Sequence, residues 1–459
     1  MLLGRSAAGL LSRLVATGPA VGLIPRSCFI AKTHSRIMST YQSHCGADWG
    51  HRVFAVDASP SLGHPEPFYF TALHSKDQAS ANCNEWPMLA HGGTALSVGI
   101  TDPHPVSAAR LHRALGQQLA QVLPATCQLL RLLSYLPQEP HTSLQRGFFI
   151  WDPHNCSSTQ HKLKHLLREH RQHSNCCTYT EGPQGEIWQT PLELGSQTGP
   201  SRVVRVGEPD PSPFALNILL SAVYYSLSSA RTVLQECSAC IPEATRILEL
   251  LDQCDTGTKK GRYPVIVIEG LDATGKSTLT ESLRDCLKAT LLRSPPDCIS
   301  KWRKTFDDEP SLIKRAYYAA GNYIGACEIA KASMDSPVIV DRYWHSTAAY
   351  AIATEIGGNL PSLPHCGHDI YQWPQDLLRP DLVILLTVSD EERMLRMRGR
   401  GLEETKEEKE LESNTMFRLK VEEAYKRIEN PQCVIIDASP PKESVLKETL
   451  NVIRKRCAV

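Results

Sequence analysis

The sequence predicts an α/β protein. A C-terminal P-loop domain with a doubly wound parallel sheet, three-layer α/β/α, follows an α+β N-terminal domain whose fold is not assigned. Three observations carry this. The segment 264–278, PVIVIEGLDATGKST, runs an apolar strand into Gly270-x-x-x-x-Gly275-Lys276-Ser277 and then into a helix with Leu279, Leu283 and Leu287 four apart. Downstream, β-branched runs at 337–341 (PVIVD), 381–388 (DLVILLTV) and 433–437 (CVIID) lack polar alternation, as expected of parallel strands buried on both faces. Helical stretches at about 276–289, 311–334, 346–355, 389–399, 412–428 and 441–455 separate the strands.

The preceding segments read in order. Residues 1–47 contain no Asp or Glu but hold Arg5, Arg13, Arg26, Lys32 and Arg36 among many Ser and Ala. That is the composition of a mitochondrial transit peptide, and it places the protein in the matrix. A secretory signal would use 14–24 as its apolar core, but Gly18, Pro19 and Gly22 interrupt it and basic residues continue beyond. Residues 48–250 form an N-terminal domain of unknown role. It mixes extended pieces at 53–56 and 68–70 with loops rich in Gly, Pro and His, and helical stretches near 105–135 and 214–253. Residues 251–263 are a polar, Gly-containing linker to the P-loop domain at 264–459.

Composition narrows the function classes. With 49 basic and 49 acidic side chains the chain has no net charge, so nothing in its bulk electrostatics calls for nucleic acid. No apolar run is long enough to cross a bilayer. The sixteen cysteines are scattered through a long chain and read as reduced thiols.

The P-loop supplies the first chemistry. Gly270 and Gly275 allow backbone conformations that other residues resist. The loop spanning Gly270, Leu271, Asp272, Ala273, Thr274, Gly275, Lys276, Ser277 and Thr278 then turns its N–H groups on ATP phosphates. Lys276 reaches the outer phosphates, and the Ser277 hydroxyl is a Mg²⁺ ligand. Asp341 and Arg342 end the next apolar strand, where a carboxylate organises Mg²⁺ and an arginine grips phosphate. The segment 389–401 places Asp390, Glu391 and Glu392 in the first turn of a helix and Arg393, Arg396, Arg398 and Arg400 toward its end. Read functionally, it is a lid that brings arginines onto a transferring phosphoryl group and keeps water out.

Together these residues resemble the thymidylate-kinase-like nucleoside monophosphate kinases. The matching pieces are 269–278, 341–350 (DRYWHSTAAY), the arginines at 396, 398 and 400, and Asp437-Ala438-Ser439. The resemblance implies catalysis by Lys276, Arg342, Arg396, Arg398 and Arg400, an acceptor site including Asp272, Asn322, Arg342 and Tyr350, and Mg²⁺ held by Ser277 and Asp341. Where thymidylate kinases carry a base-reading arginine, this chain has Asn322, whose amide both donates and accepts. The acceptor-loop arginine is unassigned, with Lys301, Arg303 and Lys304 as candidates. The N-terminal extension and transit-like start resemble family members that use ATP to phosphorylate CMP, UMP, dCMP and dUMP in mitochondria. Partners are therefore pyrimidine nucleoside monophosphates and ATP, with no nucleic acid and no membrane span; a homodimer stays open.

Other P-loop proteins set different requirements. A thymidylate kinase needs only a different base preference. A deoxynucleoside kinase needs a carboxylate base beside a sugar hydroxyl, a role for which Glu269 is the candidate. A P-loop switch protein would need a guanine-reading Asn-Lys-x-Asp segment, which is absent. Cys237-x-x-Cys240 has no second pair at zinc-ribbon spacing, and His161, His165, His170, His173, Cys176 and Cys177 lie amid Lys and Arg; idle thiols and a solvated helix are expected.

Overall fold

The computed structural model describes residues 52–57, 67–74, 93–170, 172–192, 199–254, 259–399, 411 and 413–457. The transit-like segment and Arg400 lie outside the described residues.

The N-terminal region is a closed antiparallel barrel. Strands β1 (Val53–Asp57), β2 (Phe68–His74) and β3 (Thr94–Ile100) lead into helix α1 (Pro105–Val122). Then come β4 (Gln128–Tyr135), β5 (Gln145–Asp152), α2 (Ser157–Glu169), β6 (Ser174–Glu181), β7 (Ile187–Pro191) and β8 (Ser201–Val206). The strands close in the order β1-β2-β8-β7-β6-β3-β5-β4. Side chains fill the inside, as in other small barrels. Phe54 stacks on Phe70 at 4.7 Å, and the buried Tyr179 hydroxyl donates to Ser97 Oγ (3.0 Å) while accepting from Gln189 Nε2 (2.8 Å). Helices α1 and α2 cover one outer face through Leu115, Leu119, Leu163 and Leu166.

The expected helix at 105–135 is corrected here. Helix α1 ends at Val122, just before Pro124, and Gln128–Tyr135 is a barrel strand. Leucine pairs in QLLRLLSY give no clear period, so an alternating strand passes for a helix face. The helical stretch expected at 214–253 is present as α3 (Pro213–Asn217), a π-turn at Ile218–Ala222, α4 (Leu227–Cys237) and α5 (Pro242–Asp252).

The C-terminal half is an all-parallel five-stranded sheet flanked by helices. In chain order it runs β9 (Val265–Gly270), α6 (Lys276–Leu287), β10 (Thr290–Arg293), α7 (Ser311–Ala332), β11 (Val338–Asp341) and α8 (Trp344–Glu355). It finishes with β12 (Leu382–Thr387), α9 (Asp390–Gly399), α10 (Thr415–Arg427), β13 (Cys433–Asp437) and α11 (Lys442–Arg456). The spatial order is β10-β11-β9-β12-β13. Four strands were expected; the edge strand β10 is the addition, short and only partly buried, so its sequence carries little apolar signal. Central β9 is buried throughout, as its unbroken apolar run requires.

The largest core runs through both halves. It joins Tyr69, Phe214, Tyr224 and Leu234 to Ile313, Tyr317 and Ile324 of α7 and on to Val267 of the central strand.

Candidate active site

The site forms at the carboxyl ends of β9 and β11, where parallel α/β sheets bind ligands. Leaving β9, Gly270 has φ +142° and lies so close to β12 that a Cβ would meet the Leu386 carbonyl at 2.6 Å. Gly275, with φ +90°, caps α6 in the left-handed conformation. Ala273 adopts φ +64° between them, a cost that the loop geometry imposes. The loop is held from within: Thr274 Oγ1 donates to the Leu271 carbonyl (2.8 Å), and Lys276 Nζ donates to the same oxygen (2.6 Å). Ser277 and Thr278 are exposed in the first turn of α6.

Lys276 is 6% exposed. Burial, and then the positive charge of Arg342, pull its pKa down to about 7, against the opposing pull of Asp272, Asp341 and Glu269. Arg342 follows β11 with a left-handed backbone, φ +67°, that aims its guanidinium into the cleft. It donates to Asp272 Oδ1 (2.6 Å) and to Ser346 Oγ (3.4 Å), and lies 6.0 Å from the Tyr350 ring centre. A non-glycine residue held at positive φ marks a position where geometry outweighs local strain.

These groups share one cleft of about 330 Å³. Five basic side chains face it (Lys276, Arg293, Arg303, Arg315, Arg342) against two carboxylates, Asp272 and Asp341. Ser277, Ser294, Thr347, Tyr318 and Tyr350 complete the wall. An imbalance of this kind suits polyanionic ligands. Of the three acceptor-loop candidates, Arg303 lines the cleft, donating to Asp307 Oδ2 (3.2 Å) and to the Tyr318 hydroxyl (3.1 Å). Lys301 instead lies over the Trp302 ring at 4.7 Å, and Lys304 is not in the wall.

Two residues sit differently from expectation. Asn322 is 1% exposed and is not part of the cleft wall. Its Nδ2 donates to Thr347 Oγ1 (3.1 Å) and its Oδ1 accepts from Ser294 Oγ (3.3 Å), so two hydroxyls that do face the cleft stand in front of it. Asn322 shares a helix face with the cleft residues Arg315 and Tyr318, and the hydroxyls of Ser294 and Thr347 cover it. Glu269 is fully buried and also outside the wall. It accepts from the Tyr343 N–H (2.8 Å), the Ser346 N–H (3.3 Å), the Ser346 hydroxyl and the Tyr425 hydroxyl (3.2 Å). Burial raises its pKa against those bonds.

Helix α9, expected from the sequence to be a lid, meets the loop through Arg396. Arg396 donates to Glu392 Oε1 (2.7 Å) and to the Ala438 carbonyl (2.8 Å), and its Nη1 would lie 3.8 Å from a Cβ on Gly275. It therefore spans the P-loop and the Asp437-Ala438-Ser439 turn. Arg398 is exposed. Arg393, which the motif did not single out, is 2% exposed with Nε and Nη1 unpartnered.

Among the described residues, no group of three or more His, Cys, Asp or Glu side chains could hold a metal by itself. His161 and His165 lie on the exposed face of α2; Cys177 points into the barrel core, and Cys237 is buried while Cys240 is exposed.

Comparison with known proteins identifies the fold of the site. The family model for thymidylate kinase matches residues 268–449. The human protein named UMP-CMP kinase 2, mitochondrial, is 50% identical over 410 residues, 88% of this chain and 89% of its own length. A probable thymidylate kinase of Archaeoglobus fulgidus is 28% identical over 204 residues, 41% of this chain and 94% of its own. A solved structure of thymidylate kinase from Candida albicans covers 43% of this chain and 93% of its own, at 22% identity and a TM-score of 0.33. The human match, at 88% of this chain, is long enough to take in the barrel as well as the P-loop half. With half its residues shared over nearly nine-tenths of the human relative, the chain belongs to the thymidylate kinase family, in the group that contains UMP-CMP kinase 2.

Proposed function

We propose that this protein transfers the terminal phosphoryl group of Mg·ATP to the phosphate of CMP, UMP and their deoxy counterparts, giving diphosphates, inside mitochondria. The observation that carries this is the single cleft that joins the P-loop residues Lys276 and Ser277 to Arg342, Arg303 and Tyr350 under an excess of positive charge. Donor and acceptor phosphates are both anions, and bringing them together needs charge neutralisation above all.

Lys276 and the loop amides hold the donor phosphates, and Arg342, oriented by Asp272, contacts the group in flight. The hydroxyl of Ser277 and the carboxylate of Asp341 are hard oxygen donors on the same wall, which suits Mg²⁺. When bound, Mg²⁺ neutralises phosphate charge and orients the donor. Tyr350, on the cleft wall beside Arg342, is the surface for the acceptor sugar, and Arg396, close to Gly275, together with Arg398, serves the donor phosphates. No general base is needed, because an acceptor phosphate is already a nucleophile. A nucleoside acceptor would need one, and Glu269, enclosed by four donors outside the cleft, is not placed to serve.

Base preference is supported by the Ser294–Asn322–Thr347 chain. In one amide orientation Thr347 offers its O–H to the cleft and Ser294 its lone pairs; turning the amide over exchanges the two roles. That pair accommodates either the 4-amino group of cytosine or the 4-carbonyl of uracil. The mitochondrial assignment is supported by the acid-free presequence and by the name of the human relative. The test is ADP release with CMP, UMP, dUMP, dTMP and deoxycytidine as separate acceptors. Turnover with CMP and UMP well above dTMP and deoxycytidine is expected. A preference for deoxycytidine would replace this reading with a nucleoside kinase.

A further inference from the structure

Arg315 stands out in the cleft wall. It lies on α7, one turn before Tyr318, and is 7% exposed. Its Nε has no hydrogen-bond partner. The other cleft arginines each have a carboxylate: Arg342 has Asp272 at 2.6 Å, Arg303 has Asp307 at 3.2 Å and Arg293 has Glu281 at 3.8 Å. Among the described residues Arg315 forms no ion pair within 4.0 Å. A guanidinium stays charged at any ordinary pH. Enclosing one without a counter-charge is costly, and such a cost persists where a ligand supplies the missing charge.

Several anions enter this cleft. The donor phosphates have the P-loop amides and Lys276, which are carried by β9 and α6 and not by α7. The acceptor is then the anion left for α7. A base offers only uncharged groups, whereas the 5′-phosphate brings negative charge and a pair of oxygens that the guanidinium fork can take in two parallel bonds.

We propose that Arg315 is the clamp for the acceptor's 5′-phosphate, and that it makes the enzyme demand a monophosphate instead of a nucleoside. This rests on the reading of the cleft as the acceptor site. Arg315 adds an uncompensated charge to the same wall as Arg303, whose guanidinium is already paired with Asp307. It holds the attacking oxygen in place and leaves Arg342 free for the phosphoryl group in flight.

The test compares UMP and uridine by calorimetric titration of the full chain, parent against Arg315→Gln. The parent is expected to bind UMP far more tightly than uridine. In R315Q, affinity for UMP should fall about 30-fold, the loss typical of a bond to a charged partner, while uridine affinity stays put. The melting temperature of ligand-free R315Q should match or exceed the parent's, because an unpaired buried charge is gone. Equal losses for UMP and uridine, or a marked drop in melting temperature, would make Arg315 a base contact or a structural residue and overturn the proposal. So would unchanged UMP affinity. If the parent itself does not bind UMP, the acceptor reading falls first, and the clamp with it.

Discussion

Lys276 is enclosed beside Arg342, and its pKa is drawn down to about 7. The sign of the consequence is fixed. Between pH 7 and 10.5 the unfolded chain holds a proton at this site that the folded chain has lost, so the site's contribution to stability grows as pH rises through that window and is lost as pH falls to 7. Lys276→Met should therefore be more stable than the parent at pH 6, with the advantage shrinking by pH 9 in paired urea titrations. Phosphates reverse the effect by restoring the charge. At pH 8, ATP binding should take up a proton in the parent and none in K276M, measured by calorimetry in buffers of different ionisation heat. Asn322 makes a second demand. In Asn322→Asp the carboxylate accepts from both Ser294 and Thr347, so only lone pairs face the cleft. The CMP-to-UMP ratio of kcat/KM should rise about tenfold, the scale of one unpaired polar contact; an unmoved ratio would detach Asn322 from base reading. The P-loop and Asp341-Arg342 were legible because each is a motif abutting an apolar strand. Arg315, Ser294 and Thr347 were not, since a lone arginine or hydroxyl acquires meaning only from its neighbours in space.

Helices α7 and α8 carry the part of the cleft wall proposed to take the acceptor, and the N-terminal region grips both. Arg110 makes a two-point contact with Glu309 ahead of α7 (3.1 and 2.7 Å), and the Tyr224 hydroxyl donates to the Leu312 carbonyl (2.8 Å). At the end of α8, Glu355 accepts from Arg131 (3.2 Å), Asn217 (2.6 Å) and Ser311 (3.2 Å), tying barrel, α3 and both acceptor helices to one carboxylate. Glu355→Ala would strand Arg131 and Asn217. It should cost about 2 kcal/mol in urea unfolding and raise KM for CMP while leaving KM for ATP unchanged. An equal rise in both would show that the grip is not specific to the acceptor side. The parallel strands were legible as elements because burial on both faces makes them uniformly apolar. Edge strand β10 and barrel strand β4 were not: one is half-exposed, and the other's paired leucines match two periods at once.

At the scale of the whole chain, α7 explains why the two halves belong together. Fifteen of its 22 residues are buried, so it is apolar nearly all round and needs cover on two sides. The sheet covers one side, and α4 and α5 from the N-terminal region cover the other. A fragment of residues 260–459 should expose that second side and run as aggregates in gel filtration, whereas the full chain does not. A well-behaved, fully active fragment would reduce the barrel to an appendage. The barrel was illegible from sequence because its eight short strands bury alternate faces on different neighbours, which blurs any single pattern. Both halves serve one reaction, phosphoryl transfer from ATP to a pyrimidine monophosphate. Phosphorus NMR of the full chain with Mg²⁺, ATP and CMP tests it most directly. The γ-signal of ATP should fade as the two phosphate signals of CDP grow in equal measure. Loss of the γ-signal to inorganic phosphate, with CMP untouched, would contradict it.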